Sequence, residues 1–134
     1  MTDAEGTPLA IETTGANRND GKELPALLDL VPEVKTPNGS RRNRPEKLHA
    51  DKAYHSRANF AALKERGIES RIARQRIESS ERFGRHRWVV ERTVGWMRNF
   101  KRLTIRYERR DDIHLGFLKL AALIVAHHQW ERFC

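Results

Sequence analysis

Residues 46–60, EKLHADKAYHSRANF, join a predicted strand to a predicted helix and decide how the middle of the chain folds. Within KLHAD the apolar Leu48 and Ala50 alternate with His49 and Asp51, which predicts a short strand whose two faces differ. Asp51 therefore stands on the polar face, where the strand ends. An acid in that place is either a turn residue or half of a metal site, and this stretch alone leaves both open.

A helix follows this strand, and a further extended segment follows the helix. Ser56 can act as the N-cap of a helix that runs to Arg66, and Gly67 is placed to end it. Phe60 and Leu63 are predicted to lie inside. The next stretch, IESRIAR, is β-prone and is predicted to be a strand or an extended edge.

The remaining elements continue this alternation in both directions. Residues 7–14, TPLAIETT, follow a turn signal and are predicted to form a strand, and leucines at helical spacing predict a helix from about 20 to 30. Residues 36–46 are predicted to form a basic loop, and a long helix is predicted from about 86 to 103. An almost wholly apolar helix, predicted to be buried, covers about 111 to 133. The order β-α-β-α-β-α-α predicts an α/β layered fold.

Charge is distributed unevenly along the 134 residues, a length typical of one domain. Residues 1–40 hold three Lys and Arg against seven Asp and Glu, whereas residues 41–134 hold 23 against 11, so the two parts carry net charges of −4 and +12. A regional basic excess is typical of nucleic-acid binders but also occurs in other proteins. The chain has one cysteine, no signal-peptide pattern and no bilayer-spanning apolar run, which predicts a cytoplasmic protein without a membrane partner.

Charged residues form one stripe of the long predicted helix. At about 100° per residue, Arg87, Glu91 and Arg98 fall together on the face opposite the apolar residues. The simpler interpretation is a solvated face on which Glu91 pairs with Arg87. The alternative joins Glu91 to Asp51, because phosphodiester chemistry with two Mg²⁺ ions uses carboxylate ligands.

Four stretches together resemble the C-terminal half of the DDE transposases of bacterial insertion sequences: LAIETTGANRND, KLHADKAY, RHRWVVERTVGWMRNFKRLTIRYERR and IHLGFLKLAALI. They occur in the family's order and cover essentially the whole chain. The resemblance implies that residues 1–134 are part of an RNase H-like catalytic domain whose carboxylates bind Mg²⁺ or Mn²⁺. It also implies DNA transposition, in which the enzyme cuts DNA at the ends of the element and joins the 3′-hydroxyl to target DNA.

The resemblance assigns this chemistry residue by residue. Asp51 in HADKAY matches the family's second catalytic aspartate and Glu91 in WVVERTV matches its glutamate, so both are expected to be catalytic and to hold metal. In the family's Tyr-x2-Arg-x3-Glu-x6-Lys signature, Arg87 matches the Arg, Arg98 replaces the Lys and Gly84 replaces the Tyr. The residues expected to contact DNA are Arg41, Arg42, Arg44, Arg87, Arg98, Lys101 and Arg102.

The family's first catalytic aspartate has no match in this chain. The family places it on a strand upstream of the turn that TDAEGTPLAI resembles, and Asp3, Asp20 and Asp29 belong to other elements. We therefore expect an N-terminally truncated fold that lacks its first catalytic strand, binds metal weakly and is inactive alone. The implied partners are DNA, at the element's ends and at the target, and an upstream-encoded transposase half or a second copy of the chain.

Two other functions remain compatible with the sequence. A basic domain with two of three carboxylates could bind DNA without catalysis and compete with intact transposase. A truncated domain could also be a relic without a function. His49 shares the strand face of Asp51, so it is either a structural histidine or a neighbour of the site.

Overall fold

The chain divides into two compact units in the computed structural model. One consists of Met1–Thr13 and Arg85–Cys134, and the other of Thr14–Gly84. Helices and strands are mixed along the chain, as the predicted α/β class requires. The structure describes the backbone of residues 1–15, 17–18, 20–36, 38–73 and 80–133, and their side chains except those of 80–87 and 133.

A parallel strand pair with its connecting helix forms the centre of the unit Thr14–Gly84. Strand β3 (Lys47–Ala50) pairs in parallel with β4 (Glu69–Ile72), with Leu48 opposite Ser70. Parallel neighbours require a crossover, which α2 (Arg57–Glu65) supplies.

The side chains of β3 alternate between the core and solvent. Leu48 is buried, whereas His49 and the following Asp51 are exposed. Leu63 of α2 is fully buried in the same core. The alternation predicted for KLHAD is confirmed, because Leu48 is buried on one face of the strand whereas His49 is exposed on the other.

The ends of α2 follow the predicted signals. The Ser56 Oγ accepts a hydrogen bond of 3.2 Å from the backbone N–H of Asn59, so Ser56 is the N-cap. Gly67 adopts a φ of +67°, the left-handed conformation that glycine tolerates at a helix end. Arg66 Nη2 then pairs with the Asp29 carboxylate at 2.8 Å.

A short helix precedes the strands of this unit. The 3₁₀ turn Asp20–Glu23 leads into α1 (Leu24–Asp29), which buries Leu24 and Leu28 as the leucine spacing predicts. Leu24 and Leu28 are four residues apart, so they lie on one face. The helix predicted for residues 20–30 is therefore confirmed, with its first turn in the tighter 3₁₀ form.

Part of the predicted basic loop is a hairpin. Strands β1 (Val34–Lys35) and β2 (Arg41–Arg42) pair antiparallel, and the turn between them contains Gly39 at a φ of +80°. Both strands are exposed, so the hairpin presents its basic side chains to solvent.

The structure describes three helices after residue 79: α3 (Ser80–Arg98), α4 (Lys101–Thr104) and α5 (Asp111–Phe133). The unit Met1–Thr13 with Arg85–Cys134 contains α4, α5 and the part of α3 from Arg85 onward. The sequence predicts one helix from about 86 to 103, whereas the structure separates α3 from α4. Phe100 is extended, with a ψ of 115°, and the Thr104 hydroxyl donates to the Arg98 carbonyl oxygen at 2.5 Å. The side-chain hydroxyl thus replaces an intrahelical partner at the end of α3.

The prediction of a strand at residues 7–14 is wrong. The described residues there form only an isolated antiparallel bridge between Thr2 and Pro8, and the Met1 amine donates to the Ala10 carbonyl oxygen at 2.8 Å. Pro8 has no backbone N–H, and a strand requires a neighbouring strand with which to pair. The segment is β-prone, but in the described part of the chain no strand pairs with it.

Helix α5 is buried along one face only. Ala121, Val125 and Gln129 are buried, whereas Leu120 and Leu123 are exposed. The sequence predicts burial on nearly every side, because the helix is apolar nearly all round. In the described part of the chain, no helix combines the length and the apolar character needed to cross a membrane.

Candidate functional site

Asp51 follows the carboxyl end of β3, and its side chain is exposed. Its Oδ1 accepts a hydrogen bond of 2.6 Å from the Lys52 backbone N–H and so caps the 3₁₀ turn Lys52–Tyr54. A carboxylate accepts several hydrogen bonds or ligand bonds, so this cap leaves capacity for a cation. Ligands of open parallel sheets bind beyond the carboxyl ends of strands, which is where Asp51 stands.

Asn59 ties the turn after Asp51 to α2. Its side chain is 1% exposed, and its Nδ2 donates to the Tyr54 carbonyl oxygen at 2.8 Å and to the Gly21 carbonyl oxygen at 2.7 Å. Two hydrogen bonds from this one buried amide fix the turn against the helix. No motif in the sequence predicts this role for Asn59. The available signal is a polar side chain on the inward face of α2, four positions before the buried Leu63.

Two carboxylates, those of Asp20 and Asp51, act electrostatically on the Tyr54 hydroxyl. Burial raises the pKa of Tyr54 above its usual value, and the carboxylates of Asp20 and Asp51 raise it further by disfavouring the phenolate. The same two charges would favour a cation near this turn. Asp51 therefore lies in an electronegative part of its unit.

Glu91 lies on an exposed turn of α3, in the other unit. The neighbouring Thr93 is buried, and its Oγ1–H donates to the Gly6 carbonyl oxygen at 2.6 Å, with the Val89 carbonyl oxygen at 3.1 Å as a second acceptor of the same proton. The N-terminal turn is thereby fixed to the part of α3 that carries Glu91. The simpler interpretation of the sequence pairs Glu91 with Arg87, but the Arg87 side chain lies outside the described residues.

Arg92 also contacts the N-terminal turn, through the Glu5 carbonyl oxygen. Its Nη2 donates to the Glu5 carbonyl oxygen at 2.6 Å, and its guanidinium carbon lies 4.5 Å from the Trp88 ring centroid and 4.8 Å from that of Trp96. Gln129 of α5 donates to the same Glu5 oxygen at 3.2 Å. Cation–π contacts of this kind are short enough to stabilise the arrangement. The turn therefore connects α3 to α5.

Gly6→Ala is expected to lower the free energy of unfolding by about 2 kcal/mol or more. Gly6 has a φ of +86°, and an added Cβ would lie 2.9 Å from the Thr93 Oγ1 and 3.0 Å from an Arg92 nitrogen. Gly39→Ala is the matched control, because Gly39 has a φ of +80° with nothing within 4 Å of its Cβ position. Urea denaturation measures the free energy of unfolding of both variants. Equal losses would show that backbone strain, and not the contact with α3, accounts for the effect.

The three arginines of the predicted basic loop lie in or next to the hairpin and are exposed. Arg41 pairs with Glu33 at 3.4 Å, and Arg42 pairs with Glu46 at 2.9 Å. Among the described residues, the Arg44 side chain has no ion-pair partner. Arg44 is therefore the most available of the three for a phosphate.

The basic residues at the α3–α4 junction also differ in whether they are ion-paired. The Arg102 guanidinium pairs with Glu108 at 3.1 Å, and the Glu108 side chain is only 6% exposed. Arg98 and Lys101 are exposed and are not ion-paired with any residue that the structure describes. Arg102 thus has a structural role in compensating a buried carboxylate, whereas the other two cations remain available.

Comparison with known protein families identifies the family of this chain. A family model described as "Transposase DDE domain" matches residues 1–126. The chain belongs to this DDE transposase family. The recognition made from the sequence motifs is confirmed.

Two curated relatives of this DDE transposase domain carry transposase names. It is 46% identical over 132 residues to a protein named as a transposase for insertion sequence element IS402 of Burkholderia cepacia, a match that covers 98% of this chain and 63% of the relative. It is 28% identical over 131 residues to the transposase for insertion sequence element IS1106 of Neisseria meningitidis serogroup B. That match covers 90% of this chain and 40% of the relative. The chain thus spans less than two thirds of either relative. No solved structure matched it.

The donor chemistry of the DDE domain fits a hard divalent cation. Asp51 and Glu91 are exposed carboxylates, and Mg²⁺ and Mn²⁺ prefer oxygen ligands. Within the residues that the structure describes, no group of three or more His, Cys, Asp or Glu side chains could hold a metal ion. Each of the two carboxylates lies in a different unit and can supply one ligand side chain.

Proposed function

We propose that this DDE transposase domain is part of a transposase that moves an insertion sequence by metal-dependent cleavage of DNA and transfer of the cut strand. The main support is the 46% identity, over nearly the whole chain, to a relative named as a transposase. The family match over residues 1–126 supports the same class. In this proposal the chain carries a large part of an RNase H-like catalytic domain.

Asp51 and Glu91 are the proposed catalytic carboxylates. A bound Mg²⁺ or Mn²⁺ would supply Lewis-acid chemistry at the reacting phosphate. The chain's own residues hold the two ligands: the end of β3 presents Asp51, Asn59 fixes the turn behind it, and Thr93 anchors the part of α3 that carries Glu91. Rigid support of this kind is what a metal ligand requires.

The chain is proposed to be inactive by itself. Its motifs match two of the family's three catalytic carboxylates, and loss of one ligand removes most of the rate in sites that act as a unit. More than a third of each curated relative lies outside the match. An upstream-encoded transposase half is the proposed source of the remaining aspartate.

The proposed DNA contacts fall into two groups. Arg44, Arg98 and Lys101 are the first, because each is exposed and not ion-paired among the described residues. The second group consists of Arg41, Arg42 and Arg102, each of which is ion-paired with a carboxylate. Each of them must give up that carboxylate to bind a phosphate. Arg87 belongs to the proposed contacts through the family signature alone.

A triple substitution of Arg44, Arg98 and Lys101 by Ala is expected to weaken binding to duplex DNA and to reduce its salt dependence. Each lost phosphate contact lowers the slope of log affinity against log salt by about 1, so the slope should fall by about 2–3. Fluorescence anisotropy of a labelled duplex at several salt concentrations measures it.

The control removes the same charge elsewhere. Arg57, Lys64 and Arg109 are exposed cations outside the proposed interface, and substituting all three by Ala changes the net charge equally. A slope reduced as much in the control as in the test variant would mean that overall charge, and not these contacts, attracts DNA.

A non-catalytic DNA-binding protein that competes with intact transposase is the second candidate. The observation that favours it is the net charge of +12 over residues 41–134, together with the two matched carboxylates out of three. Both candidates bind DNA, and they differ in what Asp51 does. Under the second, Asp51→Asn leaves DNA affinity unchanged and has no further consequence.

A further inference from the structure

Two buried polar atoms face each other where the chain passes from α4 to α5, and neither has a hydrogen-bond partner among the described residues. They are the Glu108 Oε2 and the His114 Nδ1, which lie 3.9 Å apart. That separation is too long for a hydrogen bond. The two side chains are only 6% and 17% exposed. Because nearly all buried polar atoms in proteins are hydrogen-bonded, the gap between these two is a place for a proton.

Arg102 compensates the charge of Glu108 on the other carboxylate oxygen. The Arg102 Nη1 donates to the Glu108 Oε1 at 3.1 Å, although the Arg102 side chain is 61% exposed. Its guanidinium carbon also lies 5.8 Å from the Tyr107 ring centroid and 5.7 Å from that of Phe117. Aromatic rings attract a cation whatever its hydrogen-bond partner is. Arg102 is therefore held in an exposed place where a second anion can reach it.

The other charged groups around this cluster are either paired with each other or exposed. Two arginine–aspartate pairs flank Glu108 and the first turn of α5: Arg106 with Asp111, and Arg110 with Asp112. The remaining nearby cations, Lys101 and Arg109, are exposed. With an uncharged His114, the cluster of Arg102, Glu108 and His114 therefore has one positive and one negative charge and is neutral.

We propose that Arg102 binds a phosphate of DNA, and that this binding is coupled to the uptake of a proton by His114. The inference rests on the proposed function, in which the chain binds DNA. A phosphate beside Arg102 adds negative charge to a cluster whose carboxylate is buried, and one guanidinium does not compensate two anions. A proton that passes from solvent to the His114 Nδ1 places an N–H opposite the Glu108 Oε2. The imidazolium then pairs with the carboxylate, and the cluster is neutral again.

This coupling gives the DNA affinity a dependence on pH with a definite sign. Histidine is the side chain whose charge changes between about pH 5 and 8. If the DNA-bound chain holds one proton more than the free chain, affinity rises as the pH falls, by at most about tenfold per pH unit. From about pH 8 to about pH 6 we therefore expect this cluster to raise the affinity on the order of tenfold.

Fluorescence anisotropy of a labelled duplex with the intact chain, at constant salt and from about pH 6 to 8, measures this dependence. His114→Gln keeps a side chain that forms hydrogen bonds but takes up no proton, so about tenfold of the rise in affinity should be lost. Glu108→Gln removes the charge that the proton compensates. It should lose the same part of the rise and bind DNA more tightly than the wild type at about pH 8, because Arg102 no longer has a competing anion.

The matched control is His127→Gln, which makes the same change at an exposed histidine of α5 that lies 3.7 Å from Glu131. It should keep the pH dependence of the wild type, and circular dichroism at each pH confirms that every variant folds. A wild-type affinity that does not change with pH would overturn the coupling, and so would a His114→Gln variant whose affinity rises as much as that of the wild type. Either result leaves the proposed DNA binding intact. Absence of DNA binding at every pH would overturn both the coupling and the proposed function.

Discussion

Asp51→Asn is expected to lower transposition by on the order of 10³-fold or more, because it removes a charge that the proposed metal site requires. The assay uses a chimera in which this chain replaces the matching 63% of the IS402 relative, and movement of a marked element is counted in cells. Asparagine keeps an oxygen at the same place, so the hydrogen bond from the Lys52 N–H is retained. A loss would therefore report on charge and not on the turn.

Glu91→Gln is expected to have an effect of similar size. If both residues belong to one catalytic site, the double variant should be no slower than the slower single variant, because ligands that act as a unit give non-additive losses. Asp29→Asn is the matched control, since it makes the same chemical change at an exposed carboxylate that pairs with Arg66 at 2.8 Å. Its transposition frequency should stay within a few-fold of the unsubstituted chimera.

An active chimera that tolerates both substitutions would contradict the proposed roles. It would also favour the second candidate, in which the basic surface binds DNA and the carboxylates have only local roles. The cap of the Lys52–Tyr54 turn is such a role for Asp51. The transposition frequency, and not the DNA affinity, separates the two candidates, because carboxylate substitution should leave the phosphate contacts intact under both.

The elements that the sequence predicts well are those whose signals are local. Ser56 and Gly67 mark the ends of α2, and the alternation in KLHAD marks β3, because a cap, a left-handed glycine and a two-residue repeat act within a few residues. The leucines of α1 belong to the same class. Each signal sets backbone conformation without help from distant parts of the chain.

The elements that the sequence predicts poorly depend on distant partners. TPLAIETT has the composition of a strand, but a strand exists only where another strand pairs with it, and composition cannot supply that neighbour. The break between α3 and α4 depends on the Thr104 hydroxyl, which reaches back six residues to the Arg98 carbonyl. The exposed face of α5 has the same origin, since apolar composition gives no information about how many sides are covered.

The candidate site shows the same division. Asp51 and Glu91 are candidates because their flanking motifs resemble those of a family, whereas no motif in the sequence points to the residues that support them. Thr93 and Asn59 act on carbonyl oxygens that are 87 and 38 residues away along the chain. Backbone carbonyls are identical in every residue, so no pattern of side chains predicts such a contact. These supports are visible only in the folded chain.

Asn59→Leu is expected to lower the free energy of unfolding by about 2–4 kcal/mol, because it removes both hydrogen bonds of a buried amide and replaces it by a side chain of similar size. The donor Nδ2 holds the carbonyl oxygens of Tyr54 and Gly21 at 2.8 and 2.7 Å. Urea denaturation followed by far-UV circular dichroism measures the loss. Lys64→Leu, which introduces the same side chain at an exposed position of α2, should change stability by less than about 0.5 kcal/mol.

Asn59→Asp distinguishes lost donors from poor packing. The introduced carboxylate has nearly the original shape but can only accept hydrogen bonds, so near neutral pH it should destabilise the chain at least as much as leucine does. Burial beside two carbonyl oxygens should raise the pKa of that carboxyl in the folded chain. Protonation restores one O–H donor, so the loss should be complete above the raised pKa and should shrink as the pH falls through it. A loss that is independent of pH would mean that the two carbonyl contacts are not what Asn59 contributes, and the turn that carries Asp51 would then need another anchor.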